Sequence, residues 1–243
     1  MKRALVVGGA NGIGLSVATE LAKREDIEKI YIVDKAAISD EFINSKFESY
    51  QFDLTQDDYS IFDKFQDIDT LMITAGFGRL ALFENVDDEM IPLYFNVNTI
   101  PVLRLIKRFY HKLQSEENFY CGVMVSIAGF MSSPFFSVYG ATKAALKIFI
   151  ESVNVELLKA GYTNQVLNVS PGSIKGTNFN NGKTVLTITA DLSKEIIRHL
   201  MAKDDLFIPK YEEIYKDVLC RYHEDFRKEG SHSYNYKLNS GRL

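Results

Sequence analysis

Tyr139 and Lys143 are the pair in this chain whose types and spacing speak most directly of chemistry. At i and i+4 on a helix, two side chains share one face. A free phenol titrates near pH ~10 and is neutral at physiological pH. A neighbouring ammonium favours the phenolate and lowers that value. A drop of ~3 units takes ~4 kcal/mol of differential stabilisation, which a lysine with one further positive charge can supply. Such a tyrosine can give and take a proton. Ser126 lies thirteen residues upstream, at the end of an apolar run. A hydroxyl there can donate to a substrate oxygen as negative charge develops on it. Taken alone, Tyr-x-x-x-Lys is a weak motif, and Ser132, Ser133 and Ser137 compete with Ser126 for the role.

These residues need a frame, and the first 35 residues predict one. Ala4–Val7 is a short apolar run, as in a parallel strand buried on both faces. It leads into Gly8-Gly9-Ala10-Asn11-Gly12-Ile13-Gly14, then a helix with Leu15, Ala18, Leu21 and Ala22 on one face, then a second strand, Ile30–Val33, ending at Asp34. In a βαβ unit, glycines at this turn allow tight bending, backbone approach to a pyrophosphate and close helix–strand packing. The helix N-terminus adds amide donors for phosphate. Asp34, twenty residues beyond Gly14, is placed to accept hydrogen bonds from both adenosine ribose hydroxyls and to repel a 2′-phosphate. Lys35 beside it works the other way, since it can neutralise that phosphate.

The alternation continues. Strands are expected at Ser49–Phe52, Thr70–Thr74, Val123–Ile127 and Gln165–Val169, with long helices at Met90–Leu113 (across Pro92 and Pro101) and Tyr139–Leu158. The pattern predicts a doubly wound parallel α/β sheet, of Rossmann type, with helices on both faces. After Gly172 it changes. Thr177–Thr189 has no clear period, Leu192–Met201 reads as a helix and Leu206–Ile208 as a short strand. From Pro209, Tyr211, Ile214, Tyr215, Val218, Tyr222 and Phe226 recur at helical spacing, closed by Gly230; Ser231–Leu243 carries no clear signal. The expected organisation is one dinucleotide-binding domain over residues 1–243, with a substrate loop at 177–191 and a C-terminal helical extension at 210–243.

In this order, the motifs resemble those of the short-chain dehydrogenase/reductases, in the single-domain branch built around Tyr-x-x-x-Lys. The resemblance covers Lys2 to Thr177 well and Leu192–Pro209 loosely. Val7–Gly14 is similar to the family's glycine loop, which implies cofactor contacts at Gly8, Asn11, Gly12, Ile13 and Gly14. Asp53-Leu54 is similar to the pair at the adenine pocket, and Thr74-Ala75-Gly76 to the turn after the fourth strand. Ser126–Gly129 and Tyr139–Lys143 are similar to the catalytic motifs. Pro171-Gly172 with Ile174 is similar to the turn beside the nicotinamide, with Thr177 downstream and one residue further away than usual. Asn98 falls where the family supports its catalytic lysine through water; Asn96 is a rival, and the register of Arg104 and Lys107 favours Asn98. Val7 and Thr74 replace a threonine and an asparagine that tie loops together. The implied reaction is hydride transfer between nicotinamide and an alcohol or carbonyl carbon. Tyr139 is then the acid/base, Lys143 its modulator and a ribose ligand, Ser126 the oxygen donor and Asn98 a relay. NAD is expected over NADP.

Composition limits the other readings. The 243 residues are 46% hydrophobic and 25% charged, with net charge −4. Nothing suggests a nucleic-acid surface, and no apolar run nears the ~20 residues of a membrane span. Cys121 and Cys220 form no disulfide framework or metal motif, which points to a reducing, cytoplasmic setting. A dinucleotide sensor without activity would be expected to have lost Tyr139 or Lys143. A sugar-nucleotide epimerase needs a larger substrate domain than the 71 residues after Gly172. The four histidines show no ligand spacing and read as surface residues. The substrate is a small molecule whose pocket is lined from Ile127–Val138 and Thr177–Leu192, with Phe130, Met131, Phe135 and Phe136 as an apolar wall. The second long helix carries Ala144, Ile148, Phe149, Ser152, Val153, Val155 and Leu157, more apolar residues than one core-facing stripe needs. A homodimer or homotetramer is expected, with the C-terminal helix packing over its own pocket or reaching a neighbour.

Overall fold

The computed structural model describes residues 1–177, 179 and 182–239. Seven parallel strands form one sheet: β1 (Arg3–Val7), β2 (Lys29–Asp34), β3 (Phe47–Gln51), β4 (Thr70–Ile73), β5 (Tyr120–Met124), β6 (Val166–Val169) and β7 (Leu206–Phe207). Their order across the sheet is β3-β2-β1-β4-β5-β6-β7. The winding reverses between β1 and β4, so the connections after these two strands run on to opposite faces of the sheet, the kind of switch point whose crevice takes ligands in such folds. Helix α1 (Gly12–Ala22) and α6 (Leu186–Ala202) cover one face, through Val17, Ala18, Leu21, Ile196, Ile197 and Leu200. The opposite face is covered by α2 (Met90–Asn98), α3 (Ile100–Arg108), α4 (Tyr110–Leu113) and α5 (Ser137–Lys159). There Leu105, Phe109, Leu146 and Ile150 join Leu5, Leu71 and Val123 in the larger core. The expected doubly wound sheet is present.

Four expectations need correction. Met90–Leu113 is three helices rather than one. Proline at 101 has no N–H for the Val97 carbonyl, and its ring crowds that turn; the chain breaks at Thr99 (φ −120°, ψ −63°). Strand β5 ends at Met124 rather than Ile127, so Ser126 stands in the following turn, where it begins a short 3₁₀ segment. Helix α6 begins at Leu186 rather than Leu192, which shortens the preceding irregular segment. Gly230 closes nothing. A π-turn at Tyr211–Tyr215 runs into α7 (Lys216–Glu224), and α8 (Phe226–Asn239) passes straight through Gly230 and through much of the stretch expected to carry no signal. The break is at Asp225, whose Oδ1 accepts from the amides of Arg227 and Lys228 and so caps α8. Residues 178, 180 and 181 of the expected substrate loop, and 240–243 of the extension, lie outside the described residues.

Candidate active site

The glycine loop needs its glycines for closeness as much as for turning. Gly8 has φ +84°, and a Cβ on it would lie 2.4 Å from the amide nitrogen of Ala75. A Cβ on Gly14 would meet the Gly8 carbonyl at 2.2 Å. The loops after β1 and β4 therefore touch through bare backbone. Thr74, at the position expected to loosen this contact, secures it: its hydroxyl reaches the carbonyls of Val7 (3.0 Å) and Gly8 (2.9 Å). Asn11 precedes α1 without capping it, and the first turn holds no acidic side chain. The amide of Gly12 donates to the Thr184 hydroxyl at 2.9 Å. Donors at a helix N-terminus, without a competing carboxylate, suit a pyrophosphate.

Asp34 ends β2 and is tied to the same loop. Its Oδ2 accepts from the Ala10 amide and its Oδ1 from the Ala36 amide, both at 3.0 Å. Each oxygen keeps a lone pair for a hydroxyl. Asp53 accepts from the amide (2.9 Å) and hydroxyl (2.8 Å) of Thr55, which hold its carboxyl below the usual range; Lys35 lowers it further. Leu54, Ala75 and Ile13 are half-buried against the two cores. Gly76 flanks the crevice: a Cβ on it would lie 3.3 Å from Asn98 Oδ1 and 3.4 Å from Lys143 Nζ. The donor set, the bare glycine cradle and the acid at the strand end fit a dinucleotide.

Tyr139 and Lys143 occupy the first turns of α5, facing inward, and both are buried. The Lys143 Nζ donates to the Met124 carbonyl at 2.8 Å and lies 5.8 Å from the centre of the Tyr139 ring. Burial pushes the lysine down to about 7. Burial also pushes the Tyr139 phenol up to about 12; the Ser126 hydroxyl pulls it down, and Tyr94 pushes it up. Ser126 Oγ accepts from the Ala128 amide (3.1 Å) and reaches toward the Pro171 carbonyl (3.5 Å). The turn after β6, with Pro171, Gly172 and Ile174, therefore adjoins the serine. Dryness dominates this site and drives both groups toward their neutral forms.

Asn98 is fully buried and exchanges two hydrogen bonds with the backbone of Phe77, each 2.9 Å. Its amide also donates to Thr142 Oγ1 at 3.3 Å. Asn96, by contrast, is exposed. Of the expected apolar wall, Phe136 flanks Tyr139 with ring centres 5.3 Å apart. Phe135 stacks instead on Tyr234 of α8 at 4.7 Å, and Phe130 lies under Lys147. His199 is not a simple surface residue: its Nδ1 pairs with Asp204 at 2.6 Å and its ring stacks on Phe207.

The sequence reading missed several neighbours. Tyr94 is buried, accepts from the Arg79 amide at 3.0 Å and stacks on Phe77 at 4.5 Å. It stands four residues before Asn98, and that helical spacing was the available signal. Phe179, inside the expected Thr177–Leu192 lining but not singled out there, meets Tyr139 edge-on at 5.3 Å. Thr184 and Tyr215 reach the site from distant segments, and nothing local in the sequence marks them.

The profile described as short chain dehydrogenase matches residues 2–185. The chain belongs to that family. An uncharacterised oxidoreductase of Saccharomyces cerevisiae is 25% identical over 192 residues, 72% of this chain and 61% of its own length. The chain thus spans under two thirds of that relative. Retinol dehydrogenase 8 of Bos taurus is 25% identical over 88% of this chain and 72% of its own. A short chain dehydrogenase/reductase from Burkholderia phymatum, solved in complex with NAD, shares the fold at TM-score 0.76 with 15% identity, over 94% of this chain and 95% of its own. An alcohol dehydrogenase from Thermococcus sibiricus, complexed with 5-hydroxy-NADP, does so at 0.71 with 18% identity, over 86% and 95%. Among the described residues, no helix is long and apolar enough to cross a membrane, and no cluster of acidic, histidine or cysteine side chains could hold a metal.

Proposed function

We propose that this protein transfers hydride between NAD(H) and a carbonyl or alcohol carbon of a small, largely apolar substrate. The observation that carries the proposal is the gathering of Ser126, Tyr139 and Lys143 in one buried site beyond β5, beside the dinucleotide crevice. Nicotinamide supplies the hydride when bound. In the reducing direction, the Tyr139 phenol gives its proton to the substrate oxygen as charge builds there, and the Ser126 hydroxyl donates to the same oxygen. A phenol pushed up to about 12 is fully protonated at neutral pH, as that step requires. Lys143 sets the charge beside the phenol and reaches a ribose hydroxyl. Asn98 holds the loop after β4 against α5 and completes the relay to the lysine.

Gly8, Asn11, Gly12, Ile13 and Gly14 hold the pyrophosphate, Asp53, Leu54, Ala75 and Gly76 the adenosine, and Pro171, Gly172 and Ile174 the nicotinamide. Asp34 favours NAD over NADP, because a 2′-phosphate beside it would meet its carboxylate. Lys35 beside it acts in the opposite direction, since its charge can neutralise that phosphate. Phe77, Tyr94, Phe136 and Phe179 around Tyr139 favour an apolar, planar substrate. The name of the bovine relative, a retinol dehydrogenase, is in keeping with that.

The chain acts as one unit, with the residues from 177 as substrate loop and those from 210 as extension. Exposed Ile100, Ile148, Val155 and Leu158 on α3 and α5 support pairing into a homodimer or homotetramer. A cytoplasmic setting accords with the two free cysteines, of which Cys121 is buried. The test is calorimetry with NADH and NADPH, followed by cofactor turnover over a panel of aromatic and aliphatic ketones. Binding of neither cofactor, or binding without turnover of any ketone, would overturn the proposal.

A further inference from the structure

Tyr215 comes from the C-terminal extension, outside the matched stretch of residues 2–185. In the π-turn that precedes α7 it is half-buried, while Tyr211 to Ile214 are exposed. Its phenol oxygen lies 1.7 Å from where a Cβ on Gly172 would stand. Only a glycine at 172 leaves room for it. The preceding residue, Pro171, presents the carbonyl that Ser126 reaches at 3.5 Å. The Tyr215 hydroxyl is thus one residue removed from the serine that faces the reacting oxygen. Burial raises its pKa, and Tyr236 of α8 adds to the rise, so it is a neutral donor at physiological pH. No described residue hydrogen-bonds to it.

The rest of the extension fixes this position. Tyr234 stacks on Phe135, Lys237 donates to Ser133 Oγ (2.7 Å) and the Pro134 carbonyl (2.8 Å), and Gly230 passes over Ser132. The extension therefore packs on its own chain and bridges the turn after β6 and the loop after Ser126. The first of these adjoins Ser126, and the second brings Phe136 against Tyr139.

Resting on the oxidoreductase reading, we infer that Tyr215 is a specificity-determining residue, which donates a hydrogen bond to a second oxygen of the substrate, distinct from the reacting carbonyl. The substrate class is then an apolar ketone or alcohol carrying one further hydroxyl or carbonyl. An amphipathic phenol beside otherwise aromatic walls provides such selection, because a site built to pair a polar group discriminates by that pair.

The test compares Tyr215→Phe with wild type on propiophenone and its oxygenated analogues, 1-phenyl-1,2-propanedione and 4′-hydroxypropiophenone. NADH affinity is followed in parallel by nicotinamide fluorescence. The expected result is a fall of about three- to tenfold in the kcat/KM ratio of at least one analogue over propiophenone, carried by KM. Gly172→Ala, which displaces the phenol, should lower the same ratio. A purely structural role for Tyr215 would lower kcat/KM for all three ketones alike. An unchanged ratio in an active Tyr215→Phe protein overturns the inference alone. A wild type that reduces other ketones of the wider panel but none of these three also overturns the inference alone, whereas one that binds neither cofactor, or turns over no ketone of that panel, overturns the oxidoreductase reading and the inference with it.

Discussion

Lys143 carries a thermodynamic signature that can be read without any substrate. In the folded protein burial holds it near about 7; in the unfolded chain it returns to the ordinary 10.5. Between those values the unfolded state binds more protons than the folded state, so stability must rise with pH. The slope is ~1.4 kcal/mol per unit for one fully coupled group. From pH 7 to 9, that amounts to ~2 kcal/mol after allowing for half-protonation at the lower end. The burial penalty is complete below pH 7. Tyr139 does not interfere, because its own shift, from 10 up to about 12, lowers stability only above pH 10.

Lys143→Met keeps the apolar stem and removes the titration. Its cost is the 2.8 Å bond to the Met124 carbonyl, worth ~1 kcal/mol. Urea unfolding of both proteins at pH 6, 7, 8 and 9, at one fixed protein concentration, isolates the effect as a difference of slopes. Wild type should gain ~2 kcal/mol on the variant between pH 7 and 9, and the variant should be the more stable at pH 6. Parallel curves, within ~0.5 kcal/mol over that window, would refute the reasoning. They would mean that the lysine keeps its charge in the dry site.

Three further outcomes follow from the same geometry. Tyr139→Phe keeps the ring against Phe136 and Phe179 and should lose ~10²–10⁴-fold in turnover, with NADH affinity within about twofold by calorimetry; activity within about tenfold of wild type would remove the tyrosine from the acid/base role. Wild type should bind NAD at least about tenfold more tightly than NADP, and Asp34→Ala should narrow that ratio; a wild type that prefers NADP would show Lys35 outweighing Asp34. Ile148→Glu should reduce the sedimenting mass to the 27.6 kDa of one chain; a wild type already at that mass would refute the assembly, and a variant that stays assembled would move the interface elsewhere. Ile148 is the better probe than Phe149, because it is 58% exposed while Phe149 packs on its own core.

The central strands were legible because strands buried on both faces appear as unbroken apolar runs, and Ala4–Val7 and Ile30–Val33 fall inside β1 and β2. The same signal misplaced the end of β5. Val125 and Ile127 are buried beyond the strand, and their amides still bond to Val169 and Pro171 carbonyls, so apolarity marked burial rather than strand. Catalytic candidates were legible where spacing is local, as for Tyr139 and Lys143. Tyr215 and Thr184 were not, since tertiary packing alone brings them to Gly172 and Gly12. Helix α8 escaped notice because it buries no apolar stripe; it holds by stacking, a lysine and the Asp225 cap.

Pro101 shows why a residue that reads as a defect belongs to the site. In a helix interior a proline costs ~3 kcal/mol. Here the break it imposes falls beside Asn98 and Thr99, and both side chains turn toward α5. The Thr99 hydroxyl donates to the Thr142 carbonyl at 3.2 Å, while the Asn98 amide reaches Thr142 Oγ1. That hydroxyl in turn donates to the Tyr139 carbonyl at 2.6 Å. Thr142 lies between Tyr139 and Lys143 in sequence, so the junction of α2 and α3 grips the one turn of α5 that carries the chemistry. Through Asn98 the same junction grips Phe77, next to Gly76. The loop after β4 and the lysine are therefore set against each other by a single buried asparagine, and the proline is what frees the chain there to place it.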